Sequence, residues 1–336
     1  MDLPAKPKTQ LSKRAAQPPA VRDKLAGSDS EKLIQAFFRN KSKNTVDAYQ
    51  RDLRVFCEWL GVETVDEAAA SLLSVGRGDA NYLVLEFQQY MVDEKSYAPG
   101  TVNRRIAALR SMIKLANTLG ICNYQLDVTN VSNDTYKDTR GPGHDGFLKM
   151  LGTLGDSNLD RRNYAILRML YDMALRRFEV VGLDMKHVDL KRKTVMILGK
   201  RDKARRKVTI PESTAEALRD WIARRGSHPG ALFESYDRAG RRSDGRLTGR
   251  SVHKIVKKIG KNAGLDTWPH GLRHAAITRA LDRLNGDVRR VQKFSRHKSV
   301  ETLIRYDDNR RDEAGAIGNM LADEIDEGER GEGAES

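Results

Sequence analysis

Residues 268–308 contain His270-Gly-Leu-Arg273-His274 and, further on, Ser295-Arg-His297-Lys-Ser-Val-Glu-Thr-Leu-Ile-Arg-Tyr306. Two histidine-bearing segments, an arginine and a tyrosine stand at fixed offsets, with a short amphipathic helix between them. Arginine and histidine supply N–H donors suited to a phosphate. A tyrosine can act as a covalent nucleophile. The patterning predicts helices at 287–294 and 299–306, on either side of His297.

Upstream, an apolar helix through 163–174 leads into Leu175-Arg176-Arg-Phe178-Glu179. Thr194-Val-Met-Ile-Leu198 and Lys207-Val-Thr-Ile210 read as two strands, with Gly199-Lys200 in the turn between them. Leu232-Phe233 reads as a further short strand. Pro211 suits the first position of a helix, and 248–263 is a helix with Lys254, Lys257, Lys258 and Lys261 on one side. A last helix is expected over 313–325, followed by an acidic, Gly-rich tail.

The N-terminal part looks different. In residues 42–60, Val46, Tyr49, Leu53, Phe56 and Leu60 recur at intervals of three and four, one apolar stripe of a helix. Thr101 is the expected N-cap of another, with the stripe Val102, Ile106, Leu109, Ile113 and Ala116. Lys43, Arg51, Arg104, Arg110 and Lys114 lie off the stripes and are the candidate DNA contacts of this helical part. Residues 1–27 read as a basic disordered arm, 28–127 as a helical domain, and the Gly/Pro-rich 128–146 as a linker. Residues 147–311 form the second domain, and 312–336 the last helix and tail.

Sixty Lys+Arg against 46 Asp+Glu give a formal charge of +14, which points to a polyanionic partner. The length suits about two domains. No run of about 18 apolar residues is present, so no membrane partner is expected, and no signal peptide is read at the N-terminus. The only cysteines, Cys57 and Cys122, suit a reducing compartment and make neither a disulfide framework nor a Cys-based zinc site. The expected location is the cytoplasm, or a nucleoid within it.

Leu175-Arg176-x-x-Glu179, Gly199-Lys200, His270-x-x-Arg273-His274, and His297 with Tyr306 nine residues on together resemble the tyrosine recombinase (phage integrase) family over about residues 28–325. The resemblance implies a mainly α fold with a small β-sheet in the C-terminal domain (α+β): an all-helical core-binding domain followed by a catalytic domain. It implies a site-specific recombinase working on double-stranded DNA with paired half-sites, as a tetramer, without cofactor, ATP or metal. Tyr306 would attack the scissile phosphate to form a 3′-phosphotyrosine. Arg176 and Arg273 would hold the non-bridging oxygens, and Lys200 would protonate the leaving 5′ oxygen. His270 and His297 would bind the phosphate and handle the tyrosine proton.

Other assignments stay open at this point. Arg177 competes with Arg176, and Lys203 and Lys207 with Lys200. His270 and His274 have the i, i+4 spacing of a zinc pair, yet no Glu follows His270 and no third ligand is evident. Phe178 stands where the family usually has a small polar residue, and Arg296 where glycine is usual. A type IB topoisomerase-like enzyme would use the same chemistry, and a non-catalytic DNA-binding regulator could use the same scaffold.

Overall fold

The computed structural model describes residues 28–39, 41–132, 141–199, 202, 204–237, 242–308 and 318–323. Two compact units divide the chain, Met1–Tyr136 and Lys137–Ser336. The expected arm at 1–27, Lys200, Lys203 and most of the expected last helix and tail lie outside the described residues.

In the first unit the described elements are α1 (Asp29–Arg39), α2 (Lys43–Leu60), α3 (Val65–Leu73), α4 (Arg77–Asp93) and α5 (Pro99–Thr118). Several boundaries have a local cause. The Ser42 hydroxyl accepts from the Thr45 N–H to start α2, and Gly61 ends it at φ 71°, a left-handed conformation that glycine adopts without a Cβ penalty. Thr64 and Glu67 form a reciprocal capping box on α3,. The expected Thr101 cap is corrected: α5 begins at Pro99, with Ala98 as the cap. Proline at the first helical position has its φ preset and loses no helical hydrogen bond.

The stripe Val102, Ile106, Leu109, Ile113 and Ala116 is fully buried where α5 packs on α2, α1 and α4. From α2 come Val46, Leu53 and Phe56, while Tyr49 and Leu60 sit half-buried at the margin. Phe56 meets Phe87 edge-on at 4.9 Å, an arrangement the aromatic quadrupole favours. Tyr124, Leu126 and Val128 close the same core, so this unit includes residues read as the beginning of the linker.

The second unit contains α6 (Gly143–Gly152), α7 (Asn158–Asp172), α8 (Arg177–Val181), β1 (Val188–Asp189), β2 (Thr194–Ile197), β3 (Arg206–Thr209), α9 (Glu212–Arg225), β4 (Glu234–Tyr236), β5 (Arg242–Arg246), α10 (Gly249–Asn262), α11 (Pro269–Arg283), α12 (Val288–Ser295) and α13 (Glu301–Asp308). Strands β1, β2 and β3 form an antiparallel sheet in that order, with Val195 opposite Val208. β4 and β5 form a separate antiparallel pair. The strand expected at Leu232-Phe233 begins two residues later. Both residues are core, and the neighbouring Ala231 makes an isolated bridge to Asp184. Pro211 caps α9 instead of occupying its first turn. The core centres on α7, which packs against α9 and α11; Trp221 is fully buried there and its indole N–H donates to the Leu232 carbonyl at 2.8 Å.

Candidate active site

The residues singled out in the second unit arise at element ends. Arg176 is the N-cap of α8. His270 and Arg273 lie in the first turns of α11, which Pro269 opens. His297 follows the C-cap of α12. Tyr306 lies on α13, which packs on α11 and α12. Side chains at helix ends can converge because the chain changes direction there.

Arg273 is the centre. It is 1% exposed and donates to the carbonyls of Ala174 and Ser295. Its Nη2 also faces Nε2 of His297 at 3.2 Å. A guanidinium only donates, so Nε2 of His297 is the acceptor and the ring proton resides on Nδ1. Nδ1 in turn meets the Ser295 hydroxyl at 3.1 Å, and Ser295 donates to the Gln292 carbonyl at 3.4 Å. This chain of bonds fixes both the tautomer and the ring. Burial, followed by the charges of Arg273 and Arg176, pushes the His297 pKa down to about 4, so its ring is neutral near pH 7.

Arg176 is anchored by one carboxylate. Its Nη1 donates to Oε1 of Glu179 at 3.0 Å, and its backbone N–H to Oε2 at 2.8 Å. Glu179 is 2% exposed, so the pair is set in a low-dielectric place. Arg177, the alternative, is exposed and packs over Gly249. His270 is exposed as a residue, yet its ring is crowded by protein atoms; that desolvation first, then the charges of Arg273 and Arg176, lowers its pKa. His274 is buried.

The seat of α11 is tight. Gly141, at φ 72°, lies so close to Gly271 that a Cβ there would run into the Gly271 carbonyl. On the open side, a cavity of ≈ 290 Å³ is walled by Arg176, Glu179, Asp202, Arg206, Arg296 and Lys298. Asp202, in the β2–β3 turn, pairs with Arg206 at 3.0 Å and Lys298 at 3.7 Å.

Arg176, His270, Arg273 and His297 are therefore brought together, from segments about 120 residues apart in the extreme case,. Ser295, Gln292 and Arg296 join them, and sequence reasoning assigned none of these three a role. Only Arg296 carried a signal, through its departure from glycine. Among the described residues no group of three or more His, Cys, Asp or Glu is placed to hold a metal ion.

The basic residues of the first unit are held differently. Lys43, Arg51, Arg104 and Lys114 are exposed and Arg110 is partly exposed. Arg104 is bonded to the buried Asp52, which Arg105 also approaches at 3.8 Å. Arg110 donates to Asn130 at 2.9 Å and to the Val128 carbonyl.

Comparison with known proteins agrees with this geometry. The profile of the Phage integrase family matches residues 144–313, and that of the Phage integrase, N-terminal SAM-like domain, matches residues 35–120. A tyrosine recombinase of Synechocystis sp. is 33% identical over 302 residues, covering 88% of this chain and 96% of the relative. One from Synechococcus elongatus is 38% identical over 295 residues, covering 84% and 90%. The tyrosine recombinase XerC of Pseudomonas entomophila is 30% identical over 279 residues, covering 80% and 86%. The fold is shared with the Tn1549 transposon integrase solved in complex with transposon right end DNA, at TM-score 0.65, 18% identity and coverage of 88% of this chain and 98% of that one. It is shared also with the XerH site-specific recombinase bound to a palindromic difH substrate, at TM-score 0.63, 22% identity and coverage of 88% and 85%.

The family match and these relatives define a DNA strand-transferring enzyme acting through a tyrosine. The chain belongs to the phage integrase family of tyrosine recombinases.

Proposed function

We propose that Tyr306 is the nucleophile of a site-specific recombination on double-stranded DNA. Its oxygen attacks the scissile phosphorus, forming a 3′-phosphotyrosine as the bond to the 5′ oxygen breaks. Lys200 delivers the proton that makes the leaving group a 5′-hydroxyl. Arg176 and Arg273 meet the charge on the non-bridging oxygens with donors fixed in advance. His270 and His297 are assigned to the phosphate and the tyrosine proton; on His297 the unprotonated Nε2 is the nitrogen that takes the proton, once it exchanges its bond from Arg273 for one from the tyrosine hydroxyl,. A 5′-hydroxyl from another strand reverses the step, so the phosphodiester energy is retained and ATP is not consumed. Guanidinium and imidazole donors fill the charge-neutralising role that a metal has elsewhere.

The single observation that carries this reading is the convergence of Arg273, Arg176 and His297 from separate helix ends. The solved relatives described above are complexes with DNA, which supports DNA as the partner. Exchange between two duplexes takes four active centres, so paired half-sites and a tetramer follow as part of the proposal. Met320 and Leu321 stand half-exposed in the helical segment 318–323, a surface suited to docking on a neighbouring protomer. The cytoplasm, with association to the nucleoid, is the proposed location.

The test uses duplexes selected by the protein from a random library, rebuilt with a nick that traps the intermediate. The wild type is expected to give a detergent-resistant protein–DNA band, unchanged by EDTA, and Tyr306→Phe to bind without giving the band. A trapped adduct from Tyr306→Phe would sink the assignment. Relaxation of a supercoiled plasmid lacking the selected sequence would support the topoisomerase-like alternative.

A further inference from the structure

Arg296 stands where a turn needs only a glycine. It caps α12 at φ 58° and ψ 37°, a left-handed conformation that side-chain-bearing residues adopt against a steric penalty. Glycine would end the helix and present His297 equally well, so what the position gains from arginine is the side chain.

That side chain reaches across to the turn that leads into α8. Its Nη1 donates to the carbonyls of Phe294 at 2.8 Å and Met173 at 3.1 Å. Its Nη2 donates to the Ala174 carbonyl at 2.9 Å and faces Oε2 of Glu179 at 3.5 Å. The return contact runs from Nη2 of Arg176 to the Arg296 carbonyl at 3.4 Å. Arg176, Glu179 and Arg296 thus form a closed ring, with the Arg296 side chain only 11% exposed.

The division of the carboxylate matters. With Arg296 beside Oε2, the Arg176 guanidinium meets Glu179 through Nη1 on Oε1. Without Arg296, Oε2 keeps only the Arg176 backbone N–H and has room for a second donor, so the Arg176 guanidinium can form the two-pronged pair that guanidinium and carboxylate prefer. That pair would draw donors of Arg176 away from the cavity.

We propose that Arg296 is a positioning residue that locks the Arg176 turn to the His297 turn and, by sharing Oε2 of Glu179 with the Arg176 backbone N–H, keeps the Arg176 guanidinium directed at the site. This rests on the reading of Arg176 and His297 as phosphate-binding groups.

The experiment measures adduct formation on the nicked selected duplex and affinity for the intact one, for Arg296→Gly, Arg296→Lys, Glu179→Gln, and Glu179→Gln combined with Arg296→Gly. Arg296→Gly is expected to keep affinity within about threefold while slowing adduct formation roughly tenfold or more, the signature of lost alignment. Arg296→Lys should recover only part of the rate, because one ammonium cannot span the carbonyls and the carboxylate. In the Glu179→Gln background, Arg296→Gly should cost less than it does alone, since the two act through one contact. An adduct rate for Arg296→Gly within about twofold of the wild type, or equal losses in both backgrounds, overturns the proposal. Should Arg296→Gly fail to fold by circular dichroism, Arg296→Lys decides alone, and a wild-type rate overturns the idea. Failure of the underlying reading looks different: no adduct from the wild type, or an adduct from Tyr306→Phe.

Discussion

Arg273 and Lys114 are both cationic side chains on helices, and the molecule treats them in opposite ways. Arg273 is 1% exposed and bonded to two carbonyls and a histidine. Lys114 stands in solvent on α5, as Lys43 and Arg51 do on α2. In the proposed function the difference answers two separate tasks. Stabilising a reacting phosphate takes donors already aimed before the substrate arrives. Holding a long polyanion takes charge near the surface, and each exposed cation contributes by releasing counterions, whatever its rotamer.

Breaking the fixed set should have the largest effect. Arg273→Ala is expected to lower the rate of adduct formation about 10²–10³-fold, the range seen when one preorganised donor is lost. Affinity for the selected duplex should change far less. Covalent-complex time courses beside gel shifts make the comparison, and a loss of under about tenfold would mean Arg273 is structural only.

Acid should be the next most damaging change, and it should strike the second unit. The His297 pKa lies at about 4 in the folded chain against 6.5 for the free group. Between these values the unfolded chain takes up a proton that the folded chain refuses. The stabilising contribution is therefore complete above about pH 6.5 and is lost as pH falls towards 4. Thermal midpoints measured from pH 7 to pH 4.5 should drop, and His297→Gln should flatten that part of the curve. Parallel curves for both proteins would contradict the half-buried, neutral imidazole.

The exposed set should respond in a different currency. Lys43→Gln, Arg51→Gln or Lys114→Gln should each shallow the dependence of log affinity on log salt by about one unit, with thermal midpoints unchanged. Arg104→Gln and Arg110→Gln sharpen the contrast, because these side chains also bond Asp52 and the 128–130 segment. Both should lower the melting temperature of the first unit as well. If all five substitutions leave the salt slope untouched, DNA is gripped elsewhere.

The smallest effect tests the scaffold alone. Ser42→Ala removes the acceptor that starts α2 and should cost about 1 kcal/mol of stability, read from denaturant unfolding. Adduct formation should stay unchanged at temperatures where the protein remains folded.

Legibility in the sequence tracks the range of the interactions involved. The stripes of α2 and α5 are local, since residues three and four apart share a helix face whatever the rest of the chain does. β2 and β3 were visible through β-branched alternation, whereas Arg242-Ser-Asp-Gly-Arg246 shows no apolar alternation and still pairs with β4. The linker reading followed composition, yet Val128 enters the first core and α6 starts at Gly143. Glycine and proline mark turns, and they do not say which turn separates two bodies. The basic residues of α2 and α5 look alike in the sequence; only folding back of Asp52 and the 128–130 segment divides them into bonded and solvated groups.

By itself the sequence determined that this is a two-part, mainly helical, strongly basic chain with the spaced arginines, histidines and tyrosine of its family. Residue type, charge and helical period are properties of neighbours along the chain. Tertiary structure alone decided which nitrogen of His297 accepts from Arg273, that Ser295 and Gln292 hold the other side of the ring, and that Arg296 ties its own turn to Met173, Ala174 and Glu179. The Arg296 contacts join residues more than a hundred positions apart and the Arg273–His297 contact joins two different helix ends, so their geometry depends on how whole helices pack, which no local pattern encodes.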